Sequence, residues 1–359
     1  MRRQHTGWDL VGLLSFAGCA PGPVGATSFG QTAPVVTTEG SSSTGGASGS
    51  TTGGTPESTG TSGTTSGSSG SGTGMVWDLG SAPDLGDPTP PGCKGKVDFL
   101  FAISRAQNMP TAQEQLIASF APFIASIEGL GAEFEDFDFH IMVVDGDRSW
   151  GMEYCEKNCG QDDFCDIMSS YPCAYEPTVC DETLGAGTIF NAGGDTPNKN
   201  CGLAPGKRYL DTTTWALEET FTCIAQVGIS GSDNLGNALG QAVTTQRETC
   251  NKGFLRDDAL LVVAHIMRGD VGSGVDGTPE EWANALLDAK GGDEDAIVML
   301  GMNGFPDLET CLEEDMRMCA MLTMFSHRVY ATTEQASYAA AFQETVDLID
   351  VACSEFVPG

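Results

Sequence analysis

From Cys93 onward, apolar residues follow two alternating rhythms: short, nearly unbroken runs, and longer stretches in which they recur every three or four positions. The runs at 97–103, 137–144, 259–266, 296–301 and 327–330 predict strands, the first of them buried. Over 111–128, Leu116, Ile117, Phe120, Phe123, Ile124 and Ile127 fall on one stripe of a predicted helix, which Pro122 should bend and Gly129 or Gly131 should end. Thr278-Pro279-Glu280-Glu281 forms a capping box with proline at the first helical position. Gly291-Gly292 closes that helix, and Trp282, Leu286 and Leu287 should face the sheet. A last helix over 334–353 places Phe342, Val346, Ile349 and Cys353 together. Strands alternating with helices predict an α/β domain with a mostly parallel sheet flanked by helices.

Two regions lack either rhythm. Residues 19–92 are Ser, Thr, Gly and Pro with few apolar side chains, too little to bury a core, and predict a flexible tether. A coil of about seventy residues reaches on the order of 50 Å. Residues 150–208 carry six cysteines and several glycines without periodicity, and predict a disulfide-stapled insertion in the domain 93–359 that replaces an edge strand or loop. Before the tether, Arg2 and Arg3 precede the apolar stretch 10–19, laid out as an export signal over 1–18 and too short to span a bilayer. Phe16-Ala17-Gly18-Cys19 resembles a bacterial lipobox. That implies acylation of Cys19 and a lipid anchor; Ala20 after it favours the outer membrane or cell surface, with periplasmic or secreted protein as alternatives.

The formal net charge of −32 makes nucleic acid and anionic membrane surfaces poor partners and favours a soluble monomer. Of thirteen cysteines, setting Cys19 aside leaves an even number, as expected of disulfides in an oxidising compartment. The spacings Cys155-x3-Cys159 and Cys311-x7-Cys319 do not match the paired knuckles of structural zinc sites.

Lys96-Val97-Asp98-Phe99-Leu100-Phe101-Ala102-Ile103 leads into a polar loop and a helix, and Leu260-Leu261-Val262-Val263 leads into a second loop. This order resembles the von Willebrand factor type A (vWA) domain, a Rossmann-like fold. The likeness is greatest to bacterial lipoproteins of predatory and soil types that share a Ser/Thr/Gly tether, cysteine-rich loops and a stretch like Asn251-Lys252-Gly253-Phe254-Leu255-Arg256-Asp257-Asp258-Ala259. The resemblance implies that first strand and last helix are neighbours, so that Cys93 pairs with Cys353. A loop of that size contributes roughly 4 to 5 kcal/mol through closure entropy.

The resemblance also implies a divalent cation, Mg2+, Mn2+ or Ca2+, held by three loops at the C-terminal edge of the sheet. The first loop should supply Asp-x-Ser-x-Ser, but Ser104, Ala106 and Asn108 stand there. The second should supply Thr; Ser230, Ser232 and Asp233 are nearest. The third should read Thr-Asp, but Met267-Arg268-Gly269-Asp270 follows the strand. Two carboxylates are missing, so no cofactor is expected unless Asp233 and Asp270 rearrange around an ion. Arg268 would place a fixed positive charge where the ion would sit, paired with Asp270 or Asp98.

His140 and His265 lie in predicted strands as core or strand-end residues and not ligands, and His327 opens the last one. Gly228-x-Ser230-Gly231 and Gly272-Ser273-Gly274 lack the setting of a catalytic serine, so no catalytic residue is assigned. Asp145-Gly146-Asp147 and the stretch 270–276 read as acidic turns, and Trp150, Trp215 and Trp282 as packed residues. The expected function is recognition of a protein or glycan by these loops without metal. A cation-dependent adhesin or a secreted hydrolase is the alternative.

Overall fold

The structure is a computed structural model that describes Cys93 and residues 95–131, 137–147, 175–192, 195–229, 234–269 and 276–356. The signal, the tether with Cys19, Trp150, the first half of the insertion, and Ser230, Ser232, Asp233 and Asp270 lie outside the described residues.

Six strands form one sheet: β1 (Lys96–Ile103), β2 (Asp138–Asp145), β3 (Leu210–Asp211), β4 (Leu260–Ile266), β5 (Ile297–Asn303) and β6 (Arg328–Thr332). Their order is β3-β2-β1-β4-β5-β6, parallel throughout except β3, which runs antiparallel to β2. Every residue of β4 and β5 is buried. Unbroken apolar runs are what a strand with both faces covered requires. Residues two apart share a face, so Val97, Phe99, Phe101 and Ile103 point into one layer, while Leu100 and Ala102 point into the other.

The first layer holds α1 (Pro110–Gly131), α2 (Leu217–Ala225) and α7 (Ala339–Glu355). Rings dominate its centre: Phe120 stacks on Phe221 at 3.5 Å, and Phe101 meets Phe221 edge-on at 5.4 Å. The second holds α3 (Leu235–Val243), α4 (Pro279–Ala289) and α6 (Arg317–Leu322), with α5 (Leu308–Glu313) preceding α6. Gly236 lets α3 press against Trp282, whose ring would lie 2.2 Å from any added Cβ. Both halves of the capping box at Thr278 and Glu281 are formed. Gly291 and Gly292 follow that helix at φ 70° and 84°, a conformation glycine adopts freely.

Four disulfides account for all the cysteines among the described residues: Cys93–Cys353, Cys180–Cys250, Cys201–Cys223 and Cys311–Cys319. The first is the pairing expected from the resemblance. The second and third fasten the described part of the insertion, residues 175–192 and 195–208, to its surroundings.

Two expectations are corrected. The last helix begins at Ala339, not near 334, because Glu334 is drawn into an ion pair with Arg268 in the loop after β6. Trp215 is 91% exposed, since Asp211 gathers Thr213 and Thr214 into a turn that carries the indole outward. The helices α2 and α3 had no counterpart in the sequence reading; α3 is rich in Gly and Ala, which carry little apolar periodicity.

The N-terminal end of the sheet is fixed by Arg256. Its backbone N–H donates to Asp98 Oδ2 at 2.7 Å and its Nε to Asp98 Oδ1 at 2.8 Å. Its outer nitrogens reach the carboxylate of Asp138 and the carbonyls of Val97 and Asp138. Burial pushes Asp98 up to about 6, against the opposing pull of Arg256 and Lys290. Lys290 Nζ in turn donates to the carbonyls of Arg256, Asp257 and Ala259. Asn251, earlier in the same stretch, donates to Gly185 and Ala242 and accepts from Gly187. The segment from Asn251 to Ala259 is therefore a clasp joining insertion, helix and sheet.

Candidate functional site at the C-terminal edge of the sheet

Parallel strands deliver their following loops to one edge, and the loops after β1, β4, β5 and β6 meet there. Single polar bridges hold them in register. Gln113, in the first turns of α1, donates to the carbonyls of Ser104 and Gly228 and accepts from Gly228 N–H at 3.0 Å. It thereby couples the β1 loop to the segment leading toward residue 230. Asn303, fully buried at the end of β5, accepts from the N–H groups of Gly269 and Gly304 and donates to Gly269 carbonyl. Gly269 has φ 112°, a conformation that strains any side-chain-bearing residue.

Arg268 and Asn108 close the edge with a reciprocal contact. Asn108 Nδ2 donates to Arg268 carbonyl at 3.0 Å, and Arg268 Nη1 donates to Asn108 carbonyl at 3.1 Å. The other guanidinium nitrogen pairs with Glu334. One expected partner of Arg268, Asp98, is therefore corrected. Asp98 sits at the far end of β1 and belongs to Arg256, and Asp270 lies outside the described residues. Ser104 is buried, and its hydroxyl accepts from Ala106 N–H within its own loop. Of the expected site residues, Asn108 and Arg268 are brought together and Ser104 lies beneath them. Between Asn108, Arg268, Gly269, Gly304, Phe305 and Glu334 opens a cleft of about 360 Å3.

Sequence reasoning passed over Arg105, which is 1% exposed. Its guanidinium lies 3.3 Å from Asp145 Oδ2 and 3.4 Å from Asp147 Oδ2, and it also donates to the carbonyl of Ala192. Asp145-Gly146-Asp147 is an acidic turn, closed by Asp147 N–H donating to Asp145 Oδ1, and is also the anionic half of a buried ion cluster. Burial holds Asp145 above the usual carboxylate range, with Arg105 pulling the other way. Arg105 follows β1 and its carboxylates close the neighbouring strand β2, so nothing local in the sequence signals the pairing. Beyond it, Arg208 pairs with Asp181 at 2.6 Å, which fixes the insertion over the same corner.

His265 is completely buried in β4, and neither ring nitrogen has a hydrogen-bond partner. Burial lowers it to about 4, so it is neutral near pH 7. His140 is different: its Nδ1 lies 2.7 Å from Phe254 carbonyl, and burial lowers its pKa as well.

No family model and no curated protein matches the chain. Among solved structures it is similar to proximal thread matrix protein 1 of the mussel byssus, at 13% identity and a TM-score of 0.34 over 73% of this chain and 47% of that one. The chain thus spans less than half the length of that protein.

Proposed function

We propose that the chain is an exported lipoprotein, anchored through Cys19, whose vWA-like domain recognises a protein or glycan at the C-terminal edge of the sheet without a metal ion. The observation that carries this reading is the reciprocal contact between Arg268 and Asn108. In the resemblance a cation draws the β1 and β4 loops together; here a guanidinium spans them and supplies the positive charge covalently. Such a charge needs no free ion and is planar, which suits paired hydrogen bonds.

The cleft beside this pair is within the size range of small-ligand sites. It presents a guanidinium, the half-exposed carboxylate of Glu334 and the ring of Phe305. That mixture suits a polar ligand of a few residues or sugar units. Loops already held by Gln113 and Asn303 lose little further freedom on binding. Binding is favoured over hydrolysis because His265, the base that the hydrolase alternative needs, is sealed in the core.

The test is a glycan array together with immobilised envelope proteins, probed with wild type, Arg268→Ala and Phe305→Ala, with and without chelator. Binding should survive chelator and be lost in variants that melt normally. Loss of wild-type binding on chelation would favour the cation-dependent adhesin. Undiminished binding by both variants would place recognition on another surface.

A further inference from the structure

At the opposite end of the sheet, three side chains from separate elements converge. Asp295 lies in the 3-10 turn Glu294–Ala296 that enters β5, His327 immediately precedes β6, and Glu355 is the last residue of α7. The backbone places the imidazole, since Met299 N–H donates to His327 carbonyl at 2.9 Å. The His327 side chain is only 11% exposed, and its buried Nε2 makes no hydrogen bond. That nitrogen nevertheless lies 3.5 Å from Asp295 Oδ1 and 3.3 Å from Glu355 Oε2. One ligand atom from each of the three residues lies within 4.8 Å of the others.

A direct N–H···O bond would bring nitrogen and oxygen to about 2.9 Å. Ligand atoms around a tetrahedral ion, with bonds of about 2.0 to 2.1 Å, stand roughly 3.4 Å apart. The two separations from His327 Nε2 match that edge and not the direct bond. We propose that Asp295, His327 and Glu355 bind a divalent transition-metal ion of the zinc class. One imidazole nitrogen and two carboxylates suit such an ion, whereas Mg2+ and Ca2+ favour all-oxygen shells of six or more ligands. The two carboxylates are 50% and 51% exposed, so a fourth position faces solvent and the ion has a way in. Bound there, it ties the end of α7 to the entrances of β5 and β6.

The test is calorimetric titration of the full chain with Zn2+, with Mg2+ and Ca2+ as controls. Wild type should bind one Zn2+ much more tightly than the controls. His327→Ala should abolish binding. Glu355→Gln, a change at an exposed helix end that leaves folding intact, should weaken it by about tenfold or more. Absence of Zn2+ binding, equal affinity for Mg2+, or affinity unchanged in both variants would overturn the assignment.

Discussion

At the N-terminal end of the sheet, Asp98 gives both carboxylate oxygens to Arg256, and Cys93 is bonded to Cys353. At the C-terminal end, the loops are joined by single side chains, Gln113, Asn303 and the Arg268–Asn108 pair, and a cleft stays open between them. Around Asp98, the first end pairs its polar groups with one another. The second leaves Glu334, Asn108 and part of Arg268 facing solvent. On the proposed reading, stability and recognition draw on different ends of the same strands, and substitutions at the two ends should be separable by melting and by binding.

The sharpest division should come from Cys93→Ser with Cys353→Ser. The bond spans 260 residues, and its loss should cost about 5 kcal/mol, read from denaturant unfolding. Arg256→Ala, which strands the fully buried Asp98, should cost about 3 to 5 kcal/mol in the same measurement. If either loss is no larger than that of Arg268→Ala, the contrast between the ends fails. Arg268→Ala removes an ion pair whose members are 22% and 56% exposed, so it should cost about 1 kcal/mol or less while abolishing binding.

Two buried groups, Asp98 at the first end and His265 within β4, sharpen the contrast through pH. Asp98 is raised to about 6 from 3.8, so its contribution is full below pH 4 and is lost as pH rises through 6. His265 is lowered to about 4 from 6.5, so its contribution is present above pH 6.5 and is lost as pH falls through 4. The two run in opposite directions over one window and partly cancel. His265→Leu should gain about 1 kcal/mol at pH 7 by removing two unpaired nitrogens. Relative to wild type, its melting temperature should climb further as pH falls from 6.5 to 4. A variant that tracks wild type across that range would show that the histidine is solvated.

Strands were legible because burial on both faces favours apolar residues at nearly every position, and β1, β4 and β5 end within two residues of the expected limits, Asp98, His265 and Asn303 being buried exceptions. The helix after Thr278 was legible because its cap is local chemistry. Arg105 and Arg256 were not, since each finds its carboxylates on other strands, and nothing near either residue in sequence announces the partner. Half of the edge was legible in the same sense. Asn108 and Arg268 were expected from the resemblance, whereas Glu334 looked like helix and Phe305 carried no pattern. The cluster of Asp295, His327 and Glu355 was invisible for the same reason as the buried arginines, its members being spread over three elements.

The Cys93–Cys353 bond also decides how the domain would carry mechanical load. A pull arriving along the chain at Cys93, resisted by something gripped at the Arg268 edge, would run lengthwise down β1, between β2 and β4. The hydrogen bonds on both flanks would then be sheared together and not opened one at a time. The disulfide shares the pull with the end of α7, so the last helix cannot peel away first.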